Sequence, residues 1–346
     1  MKEWRLTISI YLLLKYQVKN NNLNGKRTPD SFYEDFLNDT YIMDEKKAMS
    51  KKARLLLLKC RALCYTALKQ QNLRCNELVE IRNFVAENSF LFDEMPRYYI
   101  DVLYNLANAY VELNEIGKVK TIFTEMNVLL NSKKILGLDL VIKLKSHAYT
   151  IELLILTYTG KFKEAYELAL SINEFISSNN RVFNREDKAV LLFNLTNFYI
   201  YNNDYSLAEK AIEKLLDKND KRARWDLKCY SRVQELIVCF ELKQYSKIPL
   251  IVDALKILIR QKVFTTSTEI KFIRFFEKML SEGMNNFSEK KFKPLHNELK
   301  TLLTNKKDRW VNFFYFNFYA YTGFKSGSGE TKDFIFKNFH MQGPIH

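Results

Sequence analysis

Cys60 and Cys64 lie four residues apart, the spacing that puts two side chains on one face of a helix. Two thiols so placed raise the question of a metal or a redox pair. A structural zinc needs about four convergent ligands. Cys75, Cys229 and Cys239 lie in other apolar-periodic segments, no CxxC occurs, and no histidine neighbours these thiols. The five cysteines are expected to be reduced, buried and structural, which implies a cytoplasmic location. No metal is expected. The four histidines are His147, His296, His340 and His346, none in an HExxH pattern. Cys60 and His147 have only their residue types to suggest a catalytic pair. Phosphate cradles need clustered glycines. The one glycine-rich stretch, Gly323 to Gly329, lacks the P-loop lysine spacing and a following helix. The chain reads as non-enzymatic, with no catalytic residue and no cofactor.

The residues best suited to recognition are amides. Asn105 and Asn108 lie three apart, and Asn194 and Asn197 repeat the arrangement. Such pairs are neighbours on a helix surface. Each amide offers a donor and an acceptor, so it can bond the backbone of an extended peptide without reading its side chains. The competing use is internal, bridging adjacent helices or capping nearby carbonyls.

The elements that carry these residues follow from composition. The chain has 346 residues, 47% hydrophobic and 27% charged, with only 9 glycines and 5 prolines. That length suggests about two domains and allows a large core. Tight turns consume glycine and proline, so their scarcity predicts long helices joined by short polar loops. No apolar run approaches the ~18 residues of a membrane span. Helix one is expected over about Lys2 to Val18, with no small-residue cleavage site after it. An Asn-rich loop follows at Asn20 to Gly25, then a helix start at Thr28-Pro29-Asp30.

Comparing the chain with itself is more informative. Leu103-Tyr104-Asn105-Leu106-Ala107-Asn108-Ala109-Tyr110 matches Leu192-Phe193-Asn194-Leu195-Thr196-Asn197-Phe198-Tyr199, 89 residues later. A polar turn and a second amphipathic helix follow each. The anchors that open these second helices are Leu73, Ile116, Phe162, Tyr205, Tyr245 and, more weakly, Phe287. Their spacings are 43, 46, 43, 40 and 42 residues, so two periods give the offset of 89. Each unit predicts two helices of about fifteen residues. Gly160 and Asn203 fall in turns that call for positive φ. Ser206 and Glu209 have capping-box spacing. Pro249 lies near a helix start, while Pro294 requires a later start or a kink. Ser177 to Lys188 reads as a polar connection.

These units resemble tetratricopeptide repeats in an elongated form. Leu103, Leu106, Ala107, Tyr110, Val119 and Phe123 follow that family's order of large, small and aromatic positions. Leu192, Leu195, Thr196, Tyr199, Ala208 and Ile212 do so again. Gly160, Ala165 and Ala169 give a partial third match. The family's closing proline is absent and the period exceeds its usual 34, and close matching covers about residues 100–260. The resemblance implies an all-α, right-handed superhelix of about six to seven hairpins over residues 1–322. Gly323 to Gly329, with Ser326 and Ser328, reads by composition as a flexible linker, so 323–346 are expected to be linker and tail. It also implies a concave groove lined by the first helix of each pair. Family placement puts Tyr104, Asn105, Asn108, Val111 and Glu112 there in one repeat. Phe193, Asn194, Asn197, Ile200 and Tyr201 fall there two repeats later. Arg61, Tyr65 and Leu68 are assigned as earlier equivalents, and Tyr230, Val233 and Ile237 as later ones. The implied function is a scaffold or adaptor binding a protein or peptide segment. The alternatives are a peptide-sensing regulator and a basic solenoid binding nucleic acid. Residues 1–50 show no convincing DNA-binding helix-turn-helix.

The net charge is +14, which permits an acidic partner. Basic clusters occur at Lys46 to Arg54, Lys218 to Arg224, and Lys306 to Arg309. They lie at expected loops or helix ends, lysine dominates over arginine, and Asp217, Asp220 and Asp308 dilute them. Solvated charge is the ordinary reading, and a nucleic-acid partner is not expected. Trp310, Phe313, Phe314, Phe316, Phe318, Tyr319 and Tyr321 crowd what reads as one short helix. So aromatic a face is expected to be covered by the tail Asp333 to Phe339 or by a second copy of the chain.

Overall fold

The computed structural model describes residues 10–14, 28–39, 44, 48, 50–132, 137–216, 224–261, 263–283 and 289–327, without the side chains of 289, 306, 310, 313 and 314. The described residues are all-α, with no strand among them. They form two compact units, one within residues 1–151 and the other within 152–342.

In the first unit residues 10–14 are helical; the rest of the expected first helix and the Asn20–Gly25 loop lie outside the described residues. α1 (Asp30–Asn38), α2 (Lys51–Ala67), α3 (Gln71–Glu87), the short α4 (Phe90–Glu94), α5 (Pro96–Glu112) and α6 (Ile116–Asn131) follow. The boundary between the units falls inside α7 (Leu138–Tyr158). The second unit continues with α8 (Phe162–Ser178), α9 (Arg185–Tyr201), α10 (Tyr205–Leu215), α11 (Trp225–Glu241), α12 (Ile248–Arg260), α13 (Ser267–Glu282), α14 (Phe292–Leu302), α15 (Lys306–Phe314) and α16 (Phe318–Lys325). Packing runs mainly between neighbours: α2 on α3, α3 on α5 and α5 on α6 in the first unit, and α9 through α14 in succession in the second.

One turn recurs in both units. Lys69, Asn114, Gly160, Asn203 and Lys243 have φ of 57°, 58°, 75°, 64° and 58°. In each case the N–H of the next residue donates to the carbonyl five positions back: Gln70 to Tyr65, Glu115 to Tyr110, Lys161 to Leu156, Asp204 to Tyr199 and Gln244 to Cys239, all at 2.8–2.9 Å. The left-handed residue closes a second bond three positions back. Together these bonds satisfy the last free carbonyls of a helix and reverse the chain. The turn residues are 45, 46, 43 and 40 positions apart. Ile116, Phe162, Tyr205 and Tyr245 each follow their turn residue by two. The first anchor does not: that place belongs to Gln71, while Leu73 is 45% exposed. Phe287 lies outside the described residues.

Polar links between hairpins span about one such interval. Arg82 pairs with Glu125 at 2.7 Å, Arg97 with Asp139 at 2.6 Å and Lys143 with Asp101 at 2.9 Å in the first unit. In the second, Gln244 Nε2 donates to Glu209 at 2.9 Å and the Thr268 N–H to Asp308 at 2.7 Å.

Several local expectations need correction. Glu209 serves the next hairpin rather than a capping box, and the residue before α10 is Asp204, with no side-chain cap bond. A capping box does form at Thr266 and Glu269. Pro249 occupies the first turn of α12. Pro294 is the third residue of α14, after a 3-10 turn at Glu289–Lys291, so no kink is required. The Ser177–Lys188 connection shortens to 179–184. The aromatic stretch is two helices, α15 and α16, because the Asn317 side chain accepts from the Ala320 N–H and starts α16. Gly323 is buried within α16 rather than opening a linker. The tail beyond residue 327 lies outside the described residues. All five cysteines are free and buried. Burial pushes Cys60, Cys64 and Cys229 up to about 12, and Cys75 and Cys239 up to about 11. No helix among the described residues is long and apolar enough to cross a membrane.

Candidate functional site

The turn residues supply a common register. Tyr104, Asn105, Asn108 and Glu112 stand at the same distances before Asn114 as Phe193, Asn194, Asn197 and Tyr201 do before Asn203. Arg61, Tyr65 and Tyr230 are out of that register. The places of Tyr104 and Asn108 are taken by Lys59 and Leu63 in α2, and by Val233 and Ile237 in α11. Counting from Leu73 instead of Gln71 puts Arg61 and Tyr65 two residues late of this register.

In the second unit the site residues meet the chain's own C-terminal helices. Tyr315, in the break between α15 and α16, stacks on Tyr230 with ring centroids 3.6 Å apart and planes 5° apart. Phe193 lies edge-on to the same ring at 6.4 Å. The Asn197 amide donates to the Tyr315 carbonyl at 2.8 Å. Gln234, fully buried, donates to Asn197 Oδ1 at 2.7 Å and so fixes which end of that amide faces Tyr315. The Asn317 N–H donates to the Tyr201 hydroxyl at 3.0 Å. The Tyr230 hydroxyl donates to Glu269, which is also the capping carboxylate of α13. Phe193, Tyr201 and Tyr230 are buried, and burial raises the Tyr201 and Tyr315 phenols far above their usual range. Asn194 stays within its own helix, donating to the Val190 carbonyl. Phe316, Phe318 and Tyr321 are buried in the same packing; the side chains of Trp310, Phe313 and Phe314, and the tail Asp333 to Phe339, lie outside the described residues.

In the first unit the chain's N-terminal residues cover α2. Tyr11, Leu14 and Tyr33 form a cluster with Leu56, Cys60 and Cys64, and Leu63 and Ala67 pack on its edge. The Lys59 ammonium lies 3.6 Å from the centre of the Tyr98 ring, a cation–π contact. Arg61 is buried and bonds Glu77 at 2.9 Å, so it spends its charge between α2 and α3. Tyr65 is half-buried.

α5 is different. Tyr104 is half-buried and stacks on His147 at 4.1 Å. Asn105 is exposed. Asn108 is half-buried and donates only to the Tyr104 carbonyl of its own helix, at 2.9 Å. Glu112 is buried and takes one 2.5 Å bond from Arg74. Among the described residues, its second oxygen and Arg74 Nε have no hydrogen-bond partner. Burial pushes the Glu112 carboxyl up to about 7 against the opposing pull of Arg74. A surface amide held by its own helix can be redirected cheaply, because a backbone carbonyl keeps its helical bond without it.

Gln234, Tyr315 and Asn317 escaped the sequence reading. A signal existed in Asn317 followed by an apolar helix start, but asparagine is common in this chain. Among the described residues, no group of three or more His, Cys, Asp or Glu could hold a metal ion. No protein-family model, curated protein or solved structure matches the chain.

Proposed function

We propose that this chain is a non-enzymatic, tetratricopeptide-like scaffold that binds a polypeptide segment along Tyr104, Asn105 and Asn108 of α5. On this reading the hairpins of each unit stack in that family's right-handed sense. The single observation behind the proposal is the bond from Asn197 to the Tyr315 carbonyl. It is the same kind of bond by which the α5 amides would grip a partner's backbone, made here to the chain's own segment. Asn108 occupies the same register position and remains half-exposed. Five buried free thiols support a reducing compartment such as the cytoplasm.

The nucleic-acid alternative draws less support. Lys52, Arg74, Arg82, Arg97, Lys143, Lys256 and Lys271 all pair with carboxylates, largely across helices. The clusters at Lys46-Lys47 and at residues 218–223 lie outside the described residues.

The test is a peptide-display selection on the full chain, followed by titration of the selected peptides against Asn105→Ala/Asn108→Ala. Binding weakened at least tenfold, with an unchanged melting temperature, supports the reading. Peptides that bind the double variant as tightly as the parent, or a selection that enriches none, overturns it.

A further inference from the structure

We draw no further inference here: the strongest candidate, the exposed apolar Leu250 and Ile257 on either side of half-buried Ala254 along α12, carries nothing because nothing in the structure shows what covers it.

Discussion

The side-chain amide of Asn197 donates to the backbone carbonyl of Tyr315, 118 residues further along the chain, at 2.8 Å. Its other end accepts from Gln234. Asn108, its counterpart in the first unit, bonds only within its own helix. The two asparagines therefore differ in what their loss does.

Asn197→Ala removes the bond to the Tyr315 carbonyl and leaves the buried Gln234 amide with its longer bond to the Phe193 carbonyl at 3.3 Å. Stranded buried polar groups cost about 1–3 kcal/mol each. Asn108→Ala is expected to cost under about 0.5 kcal/mol, since the bond it loses competes with the helix ladder. Urea unfolding of both variants checks the contrast. Equal losses would contradict it.

Tyr315 fills the space between Phe193 and Tyr230 with its ring rather than its hydroxyl. Its phenol reaches Asp226 only at 3.4 Å. Tyr315→Ala is expected to destabilise by about 3–5 kcal/mol through the cavity left behind. Tyr315→Phe should stay within about 1 kcal/mol of the parent. Thermal melts of the pair separate packing from hydrogen bonding.

The Glu112 carboxyl titrates near 7 in the folded chain, raised from 4.5 by burial. The folded state thus holds this proton more tightly than the unfolded state does. Stability from this group is greatest below about 4.5, declines as pH rises to about 7, and is level above that. The total is on the order of 3 kcal/mol. Glu112→Gln removes the dependence, so the difference in unfolding free energy between parent and variant should change between pH 5 and 7 and flatten by pH 8.

Two of the five recurrent turns put lysine in the left-handed region, Lys69 and Lys243. A side chain there costs about 1 kcal/mol that glycine avoids. Lys243→Gly is expected to raise stability by about 0.5–1 kcal/mol, and Gly160→Ala to lower it by about 1 kcal/mol. Differential scanning calorimetry reads both directions.

The five thiols should be silent to a thiol reagent in native buffer and react together once denaturant opens the fold, because each is buried and its ionisation suppressed. A thiol titrating at full rate in the folded chain would contradict that packing.

Helical class and interval were legible because both depend on local chemistry. Gly160, Asn114 and Asn203 suit a left-handed turn, and the apolar residue two places later begins the next helix. Lys69 and Gln71 suit these roles poorly, and the reading slid to Leu73. The candidate site was legible only in part. Tyr104, Asn105 and Asn108 could be aligned with Phe193, Asn194 and Asn197 by type and spacing. That Tyr315 would occupy the second set could not, because contacts made by a distant segment leave no periodic trace. The aromatic run from Trp310 to Tyr321 hid its own break, since apolar residues on every side mask the residue at which the helix stops.

The polar links that join each hairpin to the next, such as Arg82 to Glu125 and Gln244 to Glu209, have a consequence for how such a chain can change in length. Each closes on an adjacent pair, so duplication or loss of one whole pair rewires a single seam and leaves bonds elsewhere intact. Growth by a fraction of a pair would put the partners of any link spanning the insertion out of reach. Viable insertions in the helical body should therefore come in steps of about forty to forty-six residues, with shorter ones tolerated only at the connecting loops.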